Sequence, residues 1–177
     1  VGPCAVISGK QEDADKLLKA AGELAEMYWQ GRDRMKLGRE AMLIDDALLY
    51  ASRAEKGPLF ITDSGDNTTA GAQGEGTLML QKVLESGMKQ ALVCGITARS
   101  AVEELISKAA GDRVDIWIGT EGGSPNVVPV NIEGKIKSFG KVLGWAGEEC
   151  GNGVVIAAGG VDIVLTDVRA AFISAKH

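Results

Sequence analysis

Pro58-Leu-Phe-Ile-Thr-Asp-Ser-Gly-Asp-Asn-Thr-Thr-Ala-Gly-Ala-Gln-Gly-Glu-Gly-Thr77 is the stretch on which the reading of this chain turns. The apolar run Pro58–Ile61 reads as a central strand. Asp63–Thr77 reads as a polar, glycine-rich loop, and Leu78–Ser86 has the apolar spacing of a helix. A strand, a long loop and a helix N-terminus in succession are where α/β proteins gather ligands, because loop amides and the helix dipole converge there. Fifteen residues is long for such a connection, and long ordered loops are usually functional.

Working outward, Pro3–Ile7 reads as a short buried strand. Ala14, Leu17, Leu18, Ala21, Leu24, Ala25 and Tyr28 recur with the 3.6-residue period of a helix that Gly31 ends. A second helix is expected from about Arg39 to Ala54, stopped by Gly57-Pro58. Beyond the loop, Ala91–Ile96 reads as a buried strand. Ser100–Glu103 reads as a capping box opening a helix that Gly111 ends, and Val114–Ile118 as a further strand. Val127–Ile136 and Val142-Leu143 follow, then a turn at Gly151–Gly153. Val154–Ala158 and Val161–Leu165 form a hairpin around Gly159-Gly160. The fold class is α/β: one domain over 1–177, with a mixed sheet, flanking helices, a parallel βαβ centre and antiparallel C-terminal strands.

Composition narrows the function. The chain has 177 residues, 24 of them glycine, and a net charge of −5 with no basic run, which argues against nucleic-acid binding. No apolar stretch approaches a membrane span and no signal peptide is visible, so no membrane partner is expected. Cys4, Cys94 and Cys150 are scattered and odd in number, as in a reduced, cytoplasmic protein. His177 is the lone histidine, so a zinc site or a Ser–His or Cys–His nucleophile made by this chain alone is not expected.

The candidate substrate- or anion-binding residues are Asp63, Asp66, Asn67, Gly71, Gly74, Gly76 and Thr77 in the loop, with Arg32 after the first helix as a carboxylate or phosphate clamp. Two readings of the glycines stand side by side: they aim amides at a ligand, or they only build a compact loop. Asp63, Asp66 and Glu75 with Asn67 have the oxygen chemistry of a hard-cation site, but not the spacing of an EF-hand. Alternatively the carboxylates and Asn67 hydrogen-bond loop amides and hold the loop in shape. The glycine spacing fits neither a Walker loop nor G-x-G-x-x-G. Asp162 and Asp167 flank a strand, one placed for solvent and the other for Arg169.

The pattern Gly57-Pro58…Asp63-x-Gly-Asp66-Asn67…Gly71-x-x-Gly74-Glu75-Gly76-Thr77 resembles the C-terminal domain of the microcystinase C (MlrC) family. Trp29-x-x-Arg32, Ala110-Gly111 and the late run Gly160-Val-Asp-Ile-Val-Leu-Thr-x-x-Arg169 support the resemblance. It implies a zinc-dependent peptidase of two domains. The metal ligands would lie mostly in an N-terminal partner domain, the substrate would be a peptide or small molecule, and the Asp-Asn loop would face the interdomain cleft. Among this chain's own residues only Asp63 and Asp66 are placed to touch a metal. The alternative is a non-catalytic α/β module that binds an anionic small molecule at the loop–helix junction.

Overall fold

The computed structural model describes residues 3–36, 38, 40–120, 123–144 and 146–172. His177, Arg39 and the expected turn residues Glu121 and Gly122 lie outside the described residues. The chain divides into two compact units, Val1–Met42 and Leu43–His177, each described by itself.

The first unit is built around α1 (Ala14–Gly31), the helix its apolar period predicts. The expected strand at Pro3–Ile7 is not formed; Val6 is exposed and the segment has no strand to pair with. Of the residues in α1 only Gly31 is buried, while Leu18, Met27 and Trp29 stand in solvent.

The second unit contains α2 (Ile44–Ser52), α3 (Leu78–Glu85), β1 (Ala91–Thr97), α4 (Arg99–Leu105), β2 (Arg113–Ile118), β3 (Val130–Leu143), β4 (Glu149–Ala158) and β5 (Val161–Thr166). The five strands form one mixed sheet in the order β1-β5-β4-β3-β2. The α/β class, the flanking helices and the antiparallel C-terminal strands are as the sequence predicts. The parallel pairing is between β1 and β5 rather than between consecutive strands around α4. β2 instead joins the far edge, antiparallel to β3. β3 is long enough to serve two partners, pairing with β2 over Val130–Lys135 and with β4 from Lys135 to Leu143.

Alternation makes the core. In β2, Val114, Ile116 and Ile118 are buried while Arg113, Asp115 and Trp117 face out. The inward face of the sheet, including Ile132, Ile156, Ile163 and Leu165, packs in one cluster with Leu80 and Val83 of α3, Val102 and Leu105 of α4, and Leu48 of α2. Truncating a fully buried leucine such as Leu80 or Leu105 to alanine costs about 2–5 kcal/mol.

Four local expectations are corrected. Pro58–Ile61 is not a central strand: it lies outside the sheet, Phe60 is 85% exposed, and all five strands come from beyond residue 90. The second helix is shorter than its pattern, beginning after Leu43. α4 begins one residue before Ser100, without a side-chain cap, and ends well before Gly111, so no capping box forms. Gly151–Gly153 is not a turn; it continues β4, because Val142 and Gly140 of β3 keep the ladder running through it.

Candidate functional site

The glycine loop is held by its own acids. Asp66 Oδ1 accepts from the Gly74 amide at 2.9 Å and Oδ2 from the Gly76 amide at 2.6 Å. Asp63 Oδ1 accepts from the Gly65 amide at 2.7 Å. Asn67 Oδ1 accepts from both the amide and the hydroxyl of Thr69, opening a single 3-10 turn that closes at Gly71. The carboxylates and Asn67 thus do the loop-shaping work that their chemistry suggests.

The rest of the second unit anchors this loop. Thr97, at the end of β1, donates its amide to the Gly74 carbonyl at 2.6 Å and its hydroxyl to the Gln73 carbonyl at 3.0 Å. The Thr68 hydroxyl donates to the Ala170 carbonyl, and Arg169 Nη1 reaches the Gly71 carbonyl at 3.5 Å. Arg169 therefore meets the loop rather than Asp167, which grips the amide and side chain of Asn152. Asp162 pairs with Lys137 at 2.5 Å.

Thr77 occupies the N-cap of α3, but its side chain makes no cap bond. Its hydroxyl is buried against Val128, and the Thr77 and Leu78 amides both donate to the Asn126 carbonyl, at 2.9 and 3.0 Å. An anion at the loop–helix junction would call on the amides of Gly74, Gly76, Thr77 and Leu78, and all four are already engaged within the chain.

Glu75 differs from the other loop acids. It sits between the two amides that Asp66 holds, is exposed, and makes no hydrogen bond or ion pair with another described residue. It borders a groove of about 330 Å³ whose other walls include Thr97, Arg99, Ser100, Trp117 and Thr120. Thr97 ends β1, Arg99 and Ser100 open α4, and Trp117 and Thr120 come from the end of β2 and the residues just after it, so one groove is lined from the loop, α4 and the ends of the two edge strands. Ile118 and Ala101 supply apolar lining.

Arg99, Ser100, Trp117 and Thr120 carry signals that a reading centred on the loop passes over. Thr97–Ser100 is a strand-to-helix junction, where α/β folds place ligands. Trp117 is an aromatic at an outward position of a cleanly alternating strand, and is 60% exposed. Arg32 belongs to the first unit, where its guanidinium stacks on Trp29 at 4.3 Å and donates to the Trp29 carbonyl at 2.8 Å.

A metal centre does not fit the described residues. No group of three or more His, Cys, Asp or Glu side chains is close enough to hold an ion. Asp63 and Asp66 are turned to main-chain N–H groups, and Cys4, Cys94 and Cys150 are each free thiols. Desolvation raises the thiol pKa of Cys94. No helix among the described residues is long and apolar enough to cross a membrane.

Comparison with known proteins agrees with this fold. Microcystinase C from Sphingomonas sp is 24% identical over 123 residues, which are 67% of this chain and 24% of that protein. A crystal structure from Mesorhizobium sp. BNC1, named “Putative metallopeptidase”, superposes with a TM-score of 0.66 at 19% identity, over 86% of this chain and 32% of that one. The chain thus spans about a quarter to a third of the length of these relatives. The model of the family described as “MlrC C-terminus” matches residues 61–177, which take in the loop, the groove and every strand, and the chain belongs to that family.

Proposed function

We propose that this chain is the C-terminal domain of an MlrC-like zinc-dependent metallopeptidase, and that its Asp63–Thr77 loop lines a substrate cleft shared with a metal-bearing N-terminal domain of the same protein. The observation that carries this reading is the grip of Asp66 on the amides either side of Glu75, which displays one unpaired acid on a fixed loop beside a groove. Groups that position a substrate act only if their own backbone is held, and this loop is tied to the rest of its unit at Thr68, Gln73, Gly74 and Thr77. The peptide substrate and the metal are supported by the names of the relatives.

The roles divide accordingly. Asp63, Asp66, Asn67, Gly71, Gly74, Gly76 and Thr77 form the frame, and Glu75 is the group that meets substrate. The described residues do not form a zinc site, so the metal ligands are assigned to the partner domain.

The test is to purify the whole protein that contains this chain and assay hydrolysis of linear peptides with and without a chelator. Glu75→Gln and Asp66→Asn should each lower kcat/KM by roughly tenfold or more, the loss of a charge-assisted hydrogen bond, with the metal content unchanged. The 177-residue chain alone should bind no zinc and hydrolyse nothing. Zinc-dependent hydrolysis by the chain alone, or full activity in both variants, would overturn the reading.

A further inference from the structure

We propose that the groove is a carboxylate-anchoring subsite for a peptide, with Arg99 as the anchor, Trp117 as the platform for the adjoining side chain and Glu75 as the acceptor for peptide N–H groups. The inference rests on the peptidase reading and deepens it by naming which part of a peptide the groove takes.

Three observations carry it. First, Arg99 and Glu75 both line the groove, and their guanidinium and carboxylate pair neither with each other nor with any other described residue. Second, the charges are set in a concavity of about 330 Å³, within the roughly 300–1,000 Å³ of small-ligand sites. Its lining is mixed in the way such sites are: apolar walls and a few polar groups, here the hydroxyl-bearing Thr97, Ser100 and Thr120. Third, Trp117 leaves most of its indole in solvent on an edge strand, although β2 buries its other apolar residues almost completely.

The chemistry of these groups selects the ligand and its direction. A guanidinium presents a planar fork of donors that matches a carboxylate with two parallel hydrogen bonds. Glu75 repels the same carboxylate and accepts only from donors. A peptide therefore lies with its carboxylate at Arg99 and main-chain N–H groups toward Glu75. The carboxylate has two sources, the chain terminus or an acidic side chain, and both offer Arg99 the same fork.

The experiment is calorimetric titration of the full chain with three probes: acetyl-Ala-Ala-Phe with a free carboxylate, the same peptide amidated, and acetyl-Ala-Glu-Phe-amide. Binding is read without hydrolysis, so the outcome does not depend on whether the whole protein proves to be a peptidase. Wild type should bind a carboxylate-bearing probe roughly ten- to a hundredfold more tightly than the amidated neutral peptide, the range for a charge-assisted hydrogen bond. Preference for the first probe identifies a terminal carboxylate, and preference for the third a side-chain carboxylate. Arg99→Gln should erase the preference, and Trp117→Ala should weaken all three probes together. Circular dichroism melting confirms that both variants fold. Equal affinity for all three probes, no binding of any, or an unchanged preference in folded Arg99→Gln overturns the proposal.

Discussion

Thr77 and Val128 satisfy one another completely. The buried Thr77 hydroxyl donates to the Val128 carbonyl at 2.5 Å and accepts from the Val128 amide at 2.7 Å. One side chain thereby closes a backbone gap between the start of α3 and the segment leading into β3.

Thr77→Val keeps the shape and removes both bonds. Leaving the two half-buried Val128 main-chain groups unsatisfied costs about 1–3 kcal/mol each, so a loss of roughly 2–6 kcal/mol is expected in urea unfolding. Thr77→Ser should recover most of it.

Asp66→Asn should loosen the loop without unfolding the sheet. An amide side chain offers one acceptor oxygen where the carboxylate offers two, and its NH₂ opposes one of the two glycine amides. Hydrogen exchange at Gly74 or Gly76 should speed up while exchange in β4 and β5 stays slow. Equal protection in both proteins would contradict the grip seen here.

Gly74→Ala and Gly71→Ala should differ. Both glycines have positive φ, +75° and +97°. A Cβ on Gly74 would also lie 2.7 Å from Thr68 Cγ2 and 3.0 Å from Thr97 Oγ1, whereas one on Gly71 meets nothing within 4 Å. Gly71→Ala should cost about 1 kcal/mol, the usual left-handed penalty, and Gly74→Ala clearly more, read as the gap between their melting temperatures.

Cys94 provides a pH test. Desolvation raises its thiol pKa, so the thiolate forms at higher pH than in an unfolded chain. The sign follows from linkage: a raised pKa contributes stability that is complete below the unfolded thiol's pKa and is lost as pH climbs through the folded value. Cys94→Ser should flatten that alkaline decline. Alkylation of Cys94 in the folded protein should also rise at higher pH than alkylation of a short cysteine peptide.

Much of the second unit was legible because its signals are local. α3 follows from the spacing of its apolar residues and the β4–β5 hairpin from Gly159-Gly160. What failed was long-range. Pro58–Ile61 has the composition of a buried strand, but a strand exists only where a neighbour pairs with it, and no local rule names the neighbour. The β1–β5 pairing was hidden for the same reason. The framing role of Asp63, Asp66 and Asn67 was readable from short-range hydrogen-bonding habits. The groove was not, because Glu75, Arg99 and Trp117 stand on the loop, α4 and β2, which only the tertiary fold brings to one place.

The pairing of β1 with β5 also bears on how the chain is made. During synthesis β1 emerges early, and its ladder partner is translated only after β2, β3 and β4. Until then an apolar segment bearing Val93 and Ile96, which the finished fold packs into its core, stands open in the growing polypeptide, a ready target for holdase chaperones and a point of vulnerability to self-association. Truncated products that stop short of Val161 should therefore partition into the insoluble fraction of the cell, while chains that carry β5 remain in the supernatant.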